Sequence, residues 1–327
     1  MKKFIAIIAA LACGAGAYAQ DAQSAAAAAA AALTQAPQEK VKIEKPTYWT
    51  TSAAFRVGFD QTGLWNWAAG GYNTLSLATG LNAAANYAKD LMSWTNSLKL
   101  DYGFLWSADK KNLLQKSIDQ IYLESKLAYK TGKKSKWNYT ASLGFRSQFT
   151  DSYANYVENP DSHIWEGTLK SGFLAPAYTD LGFGMEWKPN NWFNMNIAPV
   201  TGSVTIVTNP ELRAKYGMKT FEDGTYKSAL FQFGAQVKCN AKFVVNDVFI
   251  YDTQLTLFTN YLNHPFAWNR VNWDNRITWK LAKYFNIAFN TWLIYDPIVT
   301  IDGVMSKTQF KEFLQLSFIY TLTNKKK

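Results

Sequence analysis

The segment from Trp94 to Trp106 restricts the possible folds more than any other part of this 327-residue chain. Its alternate residues form two faces, one apolar except for Asn96 and the other polar, which is the period of a β-strand. Tilted by roughly 45°, such a strand covers about 28 Å, close to the apolar band of a membrane barrel. Similar aromatic-to-aromatic intervals recur at Trp137 to Phe149 and at Phe249 to Tyr261, so the pattern is repeated along the chain.

The N-terminus has the features of an export signal. Two lysines precede an apolar stretch from Phe4 to Ala12, and small residues at Ala17 and Ala19 favour cleavage after Ala19. We therefore expect residues 1–19 to be a secretory signal peptide. Lipidation at Cys13 is the less favoured alternative, since the residues before it fit a lipoprotein cleavage site poorly.

Residues 20–47 are expected to form a periplasmic leader. The segment is alanine-rich and then polar and charged, which is typical of a flexible or partly helical linker. A partner-binding helix at Ala25 to Leu33 is the alternative, although that run has no amphipathic pattern. No run of about eighteen apolar residues follows the signal, so we expect no membrane-spanning helix.

The composition argues against several classes of site. Once Cys13 is removed with the signal peptide, Cys239 is the sole cysteine, and one thiol forms no internal disulfide. The two histidines, His163 and His264, lie in loop-like contexts, so we expect no metal site, no cofactor and no enzymatic activity. A membrane-embedded lipid-modifying enzyme is kept as a distant alternative.

The charge and hydropathy favour a membrane barrel over a nucleic-acid-binding protein. The formal net charge is +10, but the basic residues are spread over strands and turns without a cluster of stacking aromatics. A mean hydropathy of −0.20 together with 16% aromatic residues fits apolar positions confined to one strand face. The thirteen tryptophans point the same way, because Trp and Tyr gather at membrane interfaces.

Period-2 alternation continues from Tyr48 to the C-terminus and predicts about twelve strands. They are expected at roughly 50–61, 73–88, 91–106, 116–130, 135–150, 172–188, 192–206, 226–241, 247–261, 269–281, 285–297 and 308–322. Short connections alternate with long ones, as in an outer-membrane barrel with periplasmic turns and extracellular loops. The sequence therefore predicts an all-β fold for residues 48–327, an antiparallel up-and-down transmembrane barrel whose two ends lie on the periplasmic side.

Several segments resemble a family of Gram-negative outer-membrane β-barrels catalogued as a domain of unknown function. The resemblance rests on N-W-A-A-G-G at 66–71, F-L-A-P-A-Y at 173–178, A-P-V-T-G-S-V-T-I-V at 198–207 and L-I-Y-D at 293–296. It extends over most of the chain after Tyr48 and implies a barrel in the outer membrane, with no established reaction or ligand. The chain departs from the usual terminal aromatic residue by ending in T-N-K-K-K at 323–327.

Charged residues on the polar face are the main candidates for a functional lining. The predicted lumen-lining residues are Arg56, Lys99, Asp101, Glu124, Lys126, Arg146, Glu186, Lys238, Asp274, Arg276 and Lys280. They predict either a lining that selects solutes or, as the favoured alternative, a paired network that fills the lumen. A barrel of about twelve strands lies between filled small barrels and open porins, so its strand number leaves both possible.

Two further features carry candidate roles in loops. One is a motif predicted to lie at the extracellular mouth, made of Trp65, Asn66, Trp67, Gly70 and Gly71. Its aromatic rings could stack on a carbohydrate or lipid head group. The favoured alternative is that the glycines permit a tight reversal of the chain while the tryptophans join the aromatic belt at the membrane interface.

The other is the acidic loop with Asp151, Glu158, Asp161 and Glu166, which lacks the spacing of a calcium site.

Two prolines interrupt predicted strands. Pro176 and Pro199 each remove a backbone donor from a strand, which favours a strand start or a bulge over a kink that shapes the lumen.

Together these features predict an integral outer-membrane barrel that is a passive channel or transporter for small solutes. The runner-up is a non-conducting barrel that scaffolds or docks a periplasmic or outer-membrane protein through its long loops or its leader. Outer-membrane lipid is the expected surrounding in both cases.

Overall fold

The computed structural model describes residues 48–62, 73–110, 113–246, 248–262, 269–301 and 303–324. The signal peptide, the leader, Cys13, His264 and the mouth motif at Trp65 to Gly71 all lie outside the described residues. Among the described residues, no helix is long and apolar enough to cross a bilayer.

The described strands close into a barrel of twelve antiparallel strands, which confirms the predicted fold class. In chain order they are β1 (Trp49–Thr62), β2 (Thr74–Lys89), β3 (Met92–Ser107), β4 (Leu114–Lys130), β5 (Trp137–Ser147), β8 (Ala177–Trp187), β9 (Phe193–Ile206), β10 (Ala229–Val245), β11 (Phe249–Asn260), β12 (Asn269–Lys280), β13 (Phe285–Tyr295) and β16 (Gln309–Thr323). Each strand pairs with its chain neighbours in the ring, and β1 pairs with β16 to close it.

The remaining elements lie in the long connections. A hairpin of β6 (Ser152–Glu158) and β7 (Trp165–Ser171) joins β5 to β8, and a short hairpin of β14 (Thr300–Ile301) and β15 (Val304–Met305) joins β13 to β16. The helical turn α1 (Pro210–Arg213) lies between β9 and β10. We refer to the end with these connections as the loop end and to the opposite end, with short turns, as the turn end.

The strand predicted at 172–188 begins five residues later than expected, because a turn replaces its start. The N–H of Gly172 donates to the carbonyl of Ala175 at 2.8 Å, and Leu174 has a positive φ of 51°. Pro176, which has no N–H to contribute to a ladder, immediately precedes β8, so its assignment to a strand start is confirmed. The connection at 151–171 was predicted as a loop without strands, but it contains the β6–β7 hairpin.

A β-bulge lies at Pro199, the other proline for which a strand start or a bulge was predicted. The register of β9 shifts around Ala198 and Pro199 against both β8 and β10. At this level Gly234 approaches the neighbouring strand so closely that a Cβ atom would lie 1.7 Å from the carbonyl oxygen of Thr259. The proline therefore occupies a position where the ladder is already interrupted, as predicted.

The outer wall is apolar and exposed. The outward side chains on the last strand include Leu314, Leu316, Tyr320 and Leu322, and Leu314 is 62% exposed. Aromatic rings pack side by side at the turn end: Trp49 against Trp94 at 5.7 Å, and Trp192 against Phe243 at 4.9 Å between ring centroids. An apolar band bordered by aromatic rings is the surface that a transmembrane barrel presents to lipid.

Candidate functional site

The eleven side chains predicted to line the lumen all lie at inward-facing positions of the strand register. Arg56 is opposite Gly80, which is opposite Asp101, and Lys99 is opposite Tyr122, which is opposite Arg146; the others follow the same alternation. Lys280 lies at the turn end, where it is exposed. The alternation therefore predicted the orientation of these residues, while their role in selecting solutes stays a prediction.

Two ion pairs lie along the barrel wall and are called the wall pairs here. Arg56 on β1 binds Asp101 on β3, and Lys126 on β4 binds Glu186 on β8, so each pair passes over one intervening strand. Asn138 on that intervening strand donates to Glu186 at 3.1 Å. Both carboxylates are buried, so each pair links two strands that are not adjacent from inside the barrel.

Two other ion pairs reach across the interior and are called the cross-lumen pairs. The Lys238 ammonium on β10 is 3.1 Å from the Glu124 carboxylate on β4, and the Arg270 guanidinium on β12 is 3.0 Å from the Asp180 carboxylate on β8. In each pair three strands separate the partners around the ring. A separation of four steps in a ring of twelve is a third of the circumference, so these side chains narrow the lumen.

A cavity of about 600 Å³ occupies the loop-end half of the lumen. Its inward side chains come from several strands and include Tyr122, Arg146, Tyr178, Lys238, Gln254, Asp274 and Trp292. On β4 and β12, Glu124 and Arg276 are the next inward residues toward the turn end. The cross-lumen pair of Glu124 and Lys238 therefore lies on the turn-end side of this cavity.

Three connections cover the cavity at the loop end, and we call them the lid: residues 148–176, 207–228 and 296–308. Each contributes to the lining, through Lys170, through Lys215 and Tyr216, and through Val299. Their apolar side chains form a small core of Ala175, Val207, Leu212 and Met218 with Leu230 of β10. The lid is thus a packed structure with buried contacts of its own.

Polar contacts join the three lid segments. The Lys215 ammonium and the Tyr216 hydroxyl both donate to the carbonyl of Lys170, at 2.9 and 3.0 Å, and the N–H of Thr300 donates to the carbonyl of Lys215 at 2.9 Å. Burial raises the pKa of the Tyr216 phenol above its ordinary value, so the hydroxyl keeps the proton that it donates.

Arg146 differs from the other lumen arginines in its hydrogen bonding, since Arg56, Arg270 and Arg276 each have a side-chain acceptor. Its guanidinium lies over the ring of Tyr178 at 5.0 Å and over that of Trp292 at 5.4 Å. The indole N–H of Trp292 donates to the Asn272 side chain at 2.5 Å, which fixes the ring. In the part of the chain that the structure describes, Arg146 has no hydrogen-bond acceptor and no ion-pair partner, so its N–H groups are available to the cavity.

The predicted set omitted four residues that shape the cavity: Asp180, Arg270, Tyr178 and Trp292. Trp292 had a detectable signal, since it is an aromatic residue that follows Asn286, Ala288 and Asn290 on the inward alternation of β13. Tyr178 lies within the F-L-A-P-A-Y segment. No sequence pattern indicated that Asp180 and Arg270 meet, because 90 residues separate them.

The acidic loop residues do not converge. Glu158 is 3.3 Å from His163, and Glu166 accepts from Asn159 at 3.4 Å, so their partners lie within the β6–β7 hairpin. Within the described ranges, no group of three or more His, Cys, Asp or Glu side chains is placed to hold a metal ion.

Comparison with known proteins gives a family match over part of the chain. Residues 59–153 match the family described as "Protein of unknown function (DUF3078)". The match confirms the resemblance to a family of unknown function, and its description carries no activity. No curated protein matches the chain.

Solved structures with barrel folds are similar to this chain at low identity. They include an outer membrane channel from Pseudomonas putida F1, with 11% identity and a TM-score of 0.37 over 87% of this chain and 98% of that one. The NanC porin has 9% identity and a TM-score of 0.38 over 83% and 98%. The translocator domain of the autotransporter NalP from Neisseria meningitidis has 9% identity and a TM-score of 0.34 over 91% and 97%.

Proposed function

We propose that this protein is an integral outer-membrane channel that admits small polar solutes. The observation that carries the proposal is a cavity of about 600 Å³, lined by polar and charged side chains among others, inside a closed barrel with an apolar outer wall. Cavities of about 300–1,000 Å³ suit small molecules. The turn end, which has the short turns, the start of β1 and the end of β16, faces the periplasm, and the lid faces the outside of the cell.

Two barriers lie on the proposed route. The lid covers the loop-end entrance, and the cross-lumen pair of Glu124 and Lys238 lies between the cavity and the turn end. Mixed charge at a constriction sets which solutes pass and how fast. The protein is thus proposed to be a narrow, selective channel with low conductance.

Planar-bilayer recording on refolded protein tests this proposal. Replacing both members of the cross-lumen pair (Glu124→Ala with Lys238→Ala) removes side chains from the constriction without leaving one charge buried alone. We expect single-channel conductance to increase several-fold. The matched control is Lys126→Ala with Glu186→Ala, because this wall pair has the same charges but lies along the barrel wall.

The same recording separates the channel from the runner-up, a non-conducting barrel that docks a partner. The lid and the cross-lumen pairs favour that alternative, since both fill the interior. If neither the unaltered protein nor the Glu124/Lys238 double variant conducts or supports liposome swelling, the channel proposal is wrong. Crosslinking and co-purification, with and without residues 21–46, then test for a partner.

A further inference from the structure

We propose that the cavity is a binding site for a small hydroxylated organic acid and that Arg146 binds its carboxylate. This inference rests on the proposed channel, because such a solute must enter the lumen to reach the cavity. It goes further by naming the chemical class that the channel admits and the residue that holds it.

The hydrogen bonding of the arginines distinguishes Arg146 from the others. Three arginines have side-chain acceptors: Arg56 has Asp101, Arg270 has Asp180, and Arg276 donates to Asn290 at 2.9 Å. Arg213 donates to three backbone carbonyls in the lid. Among the described residues, Arg146 alone of the chain's arginines has no protein acceptor. A guanidinium has five N–H donors, and leaving them without acceptors inside a protein is costly, so solvent or a ligand must fill this role.

The geometry around Arg146 suits the binding of a carboxylate. The rings of Tyr178 and Trp292 lie over the guanidinium, and Trp292 is held by its bond to Asn272. Stacking on ring faces leaves the in-plane edges of a guanidinium available, and those edges match the two oxygens of a carboxylate. Because the rings restrict the side chain before binding, less conformational entropy is lost when an anion binds.

The charge around the cavity favours an anion. Five basic side chains and four carboxylates line it, so the formal charge of the lining is +1: Arg146, Lys170, Lys215, Lys238 and Arg270 against Asp119, Asp180, Asp274 and Asp296. Asp119 is paired with Lys116, and Asp180 is paired with Arg270. Asp274 is within electrostatic range of Arg146, and also of Lys99, Arg276 and Lys238. An anion bound at Arg146 therefore meets a lining with a small excess of positive charge.

The remaining lining indicates the rest of the ligand. Primary amides line the cavity at Gln120, Gln236, Gln254, Asn272 and Gln309. An amide both donates and accepts hydrogen bonds, which matches hydroxyl groups that do the same. Aromatic rings next to these amides offer flat surfaces for a sugar-like ring. A sugar acid has both parts, a carboxylate and several hydroxyl groups.

Ligand-detected NMR on the refolded full chain in detergent tests the proposal without requiring conduction. The probes are D-glucuronate, D-glucose and D-glucosamine, which share a pyranose ring and carry negative, zero and positive charge at pH 7. We expect glucuronate to bind at least about tenfold more tightly than glucose and glucosamine to bind most weakly. Arg146→Gln should remove the difference between glucuronate and glucose, and Arg146→Lys should retain part of it.

The control variant is Lys134→Gln, which removes one positive charge from the exposed turn between β4 and β5, outside the cavity lining. It should keep the preference for glucuronate. Heat-dependent gel mobility checks that each variant is folded. Equal binding of glucuronate and glucose, or an undiminished preference in Arg146→Gln, would overturn the proposal. Inorganic phosphate that binds as tightly as glucuronate would show a site for anions in general and would overturn the organic-acid assignment.

The outcomes for the channel and for the binding site are distinguishable. A barrel that binds glucuronate through Arg146 but passes no current keeps the site and rejects the channel. A barrel that conducts but does not prefer glucuronate keeps the channel and rejects the site.

Discussion

At the scale of single residues, the missing side chain of Gly80 allows a bond between two strands that are not adjacent. Gly80 lies between Arg56 and Asp101 in the register, and a Cβ atom there would be 2.4 Å from an oxygen of Asp101. The ion pair passes over β2 because no side chain occupies that position. The wall pair of Arg56 and Asp101 therefore requires a glycine at the inward position between them.

Gly80→Ala is expected to destabilise the barrel by about 2 kcal/mol, because it displaces a buried charged hydrogen bond. Urea unfolding followed by tryptophan fluorescence measures the change. Gly144→Ala is the matched control, since Gly144 also faces inward and a Cβ atom there meets nothing within 4 Å. Equal stability of the two variants would contradict this account of Gly80.

Asp109 allows a test of electrostatics outside the barrel strands. Hydrogen bonds from Lys110, at 2.7 Å, and from Ser107 lower the pKa of its carboxyl below the ordinary value. A lowered carboxyl pKa stabilises the folded loop above the ordinary pKa, and this stabilisation is lost as the pH falls through the folded-state value.

Carboxyl-carbon NMR should therefore give Asp109 a titration midpoint below 3.8, the ordinary value. Lys110→Gln should raise that midpoint, because the charged donor is the largest cause of the shift. A midpoint that Lys110→Gln leaves unchanged would assign the shift to Ser107 instead.

Among the elements, the lid segment 207–228 is closed on itself by Arg213. Its guanidinium donates to the carbonyls of Val207, Thr208 and Tyr226 at 3.0–3.2 Å, which joins both ends of the connection between β9 and β10. Within the described ranges, Arg213 makes no hydrogen bond to a residue of a barrel strand. The lid can therefore be loosened without altering the barrel ladder.

Arg213→Ala is expected to expose the lid to limited proteolysis at least several-fold faster, while heat-dependent gel mobility of the barrel stays unchanged. Lys219→Ala in the same connection is the control, because Lys219 is exposed. If the two variants are cleaved at the same rate, Arg213 does not hold the lid.

The strands and their connections differ in how well the sequence predicts them. The alternation of apolar and polar residues predicted all twelve barrel strands and the inward positions of side chains such as Lys99 and Arg276. It does so because one face of each strand contacts lipid and must be apolar, while the other faces the lumen. Alternation is local, so it did not show that Glu124 meets Lys238 across the lumen, 114 positions later. The β6–β7 hairpin was missed because it forms a separate sheet outside the barrel ring, where lipid and lumen do not dictate the two strand faces.

At the scale of the whole molecule, the outer wall requires apolar side chains in the middle of the strands. Leu123 lies near the centre of β4 with its side chain exposed, between Leu98 and Phe145 in the register. A cationic side chain at such a position must lie in hydrocarbon.

Leu123→Arg is expected to lower the free energy of unfolding from lipid vesicles by about 2–4 kcal/mol. Leu123→Ala, which shortens the side chain without adding charge, should cost less, and denaturant titration compares the two. An arginine that is tolerated as well as alanine would show that this face does not contact lipid.

The contact between the first and last strands has a consequence for the order of the chain. Asn324 accepts from the N–H of Thr51 at 2.7 Å and donates to the carbonyl of Trp49 at 3.2 Å, so the two ends of the barrel portion are neighbours. A short peptide linking them would span little distance, and new ends could be opened at the turn around Asn190. Such a circular permutant would keep every pair of neighbouring strands. The pairing of strands around the barrel is therefore compatible with a different order of synthesis along the chain.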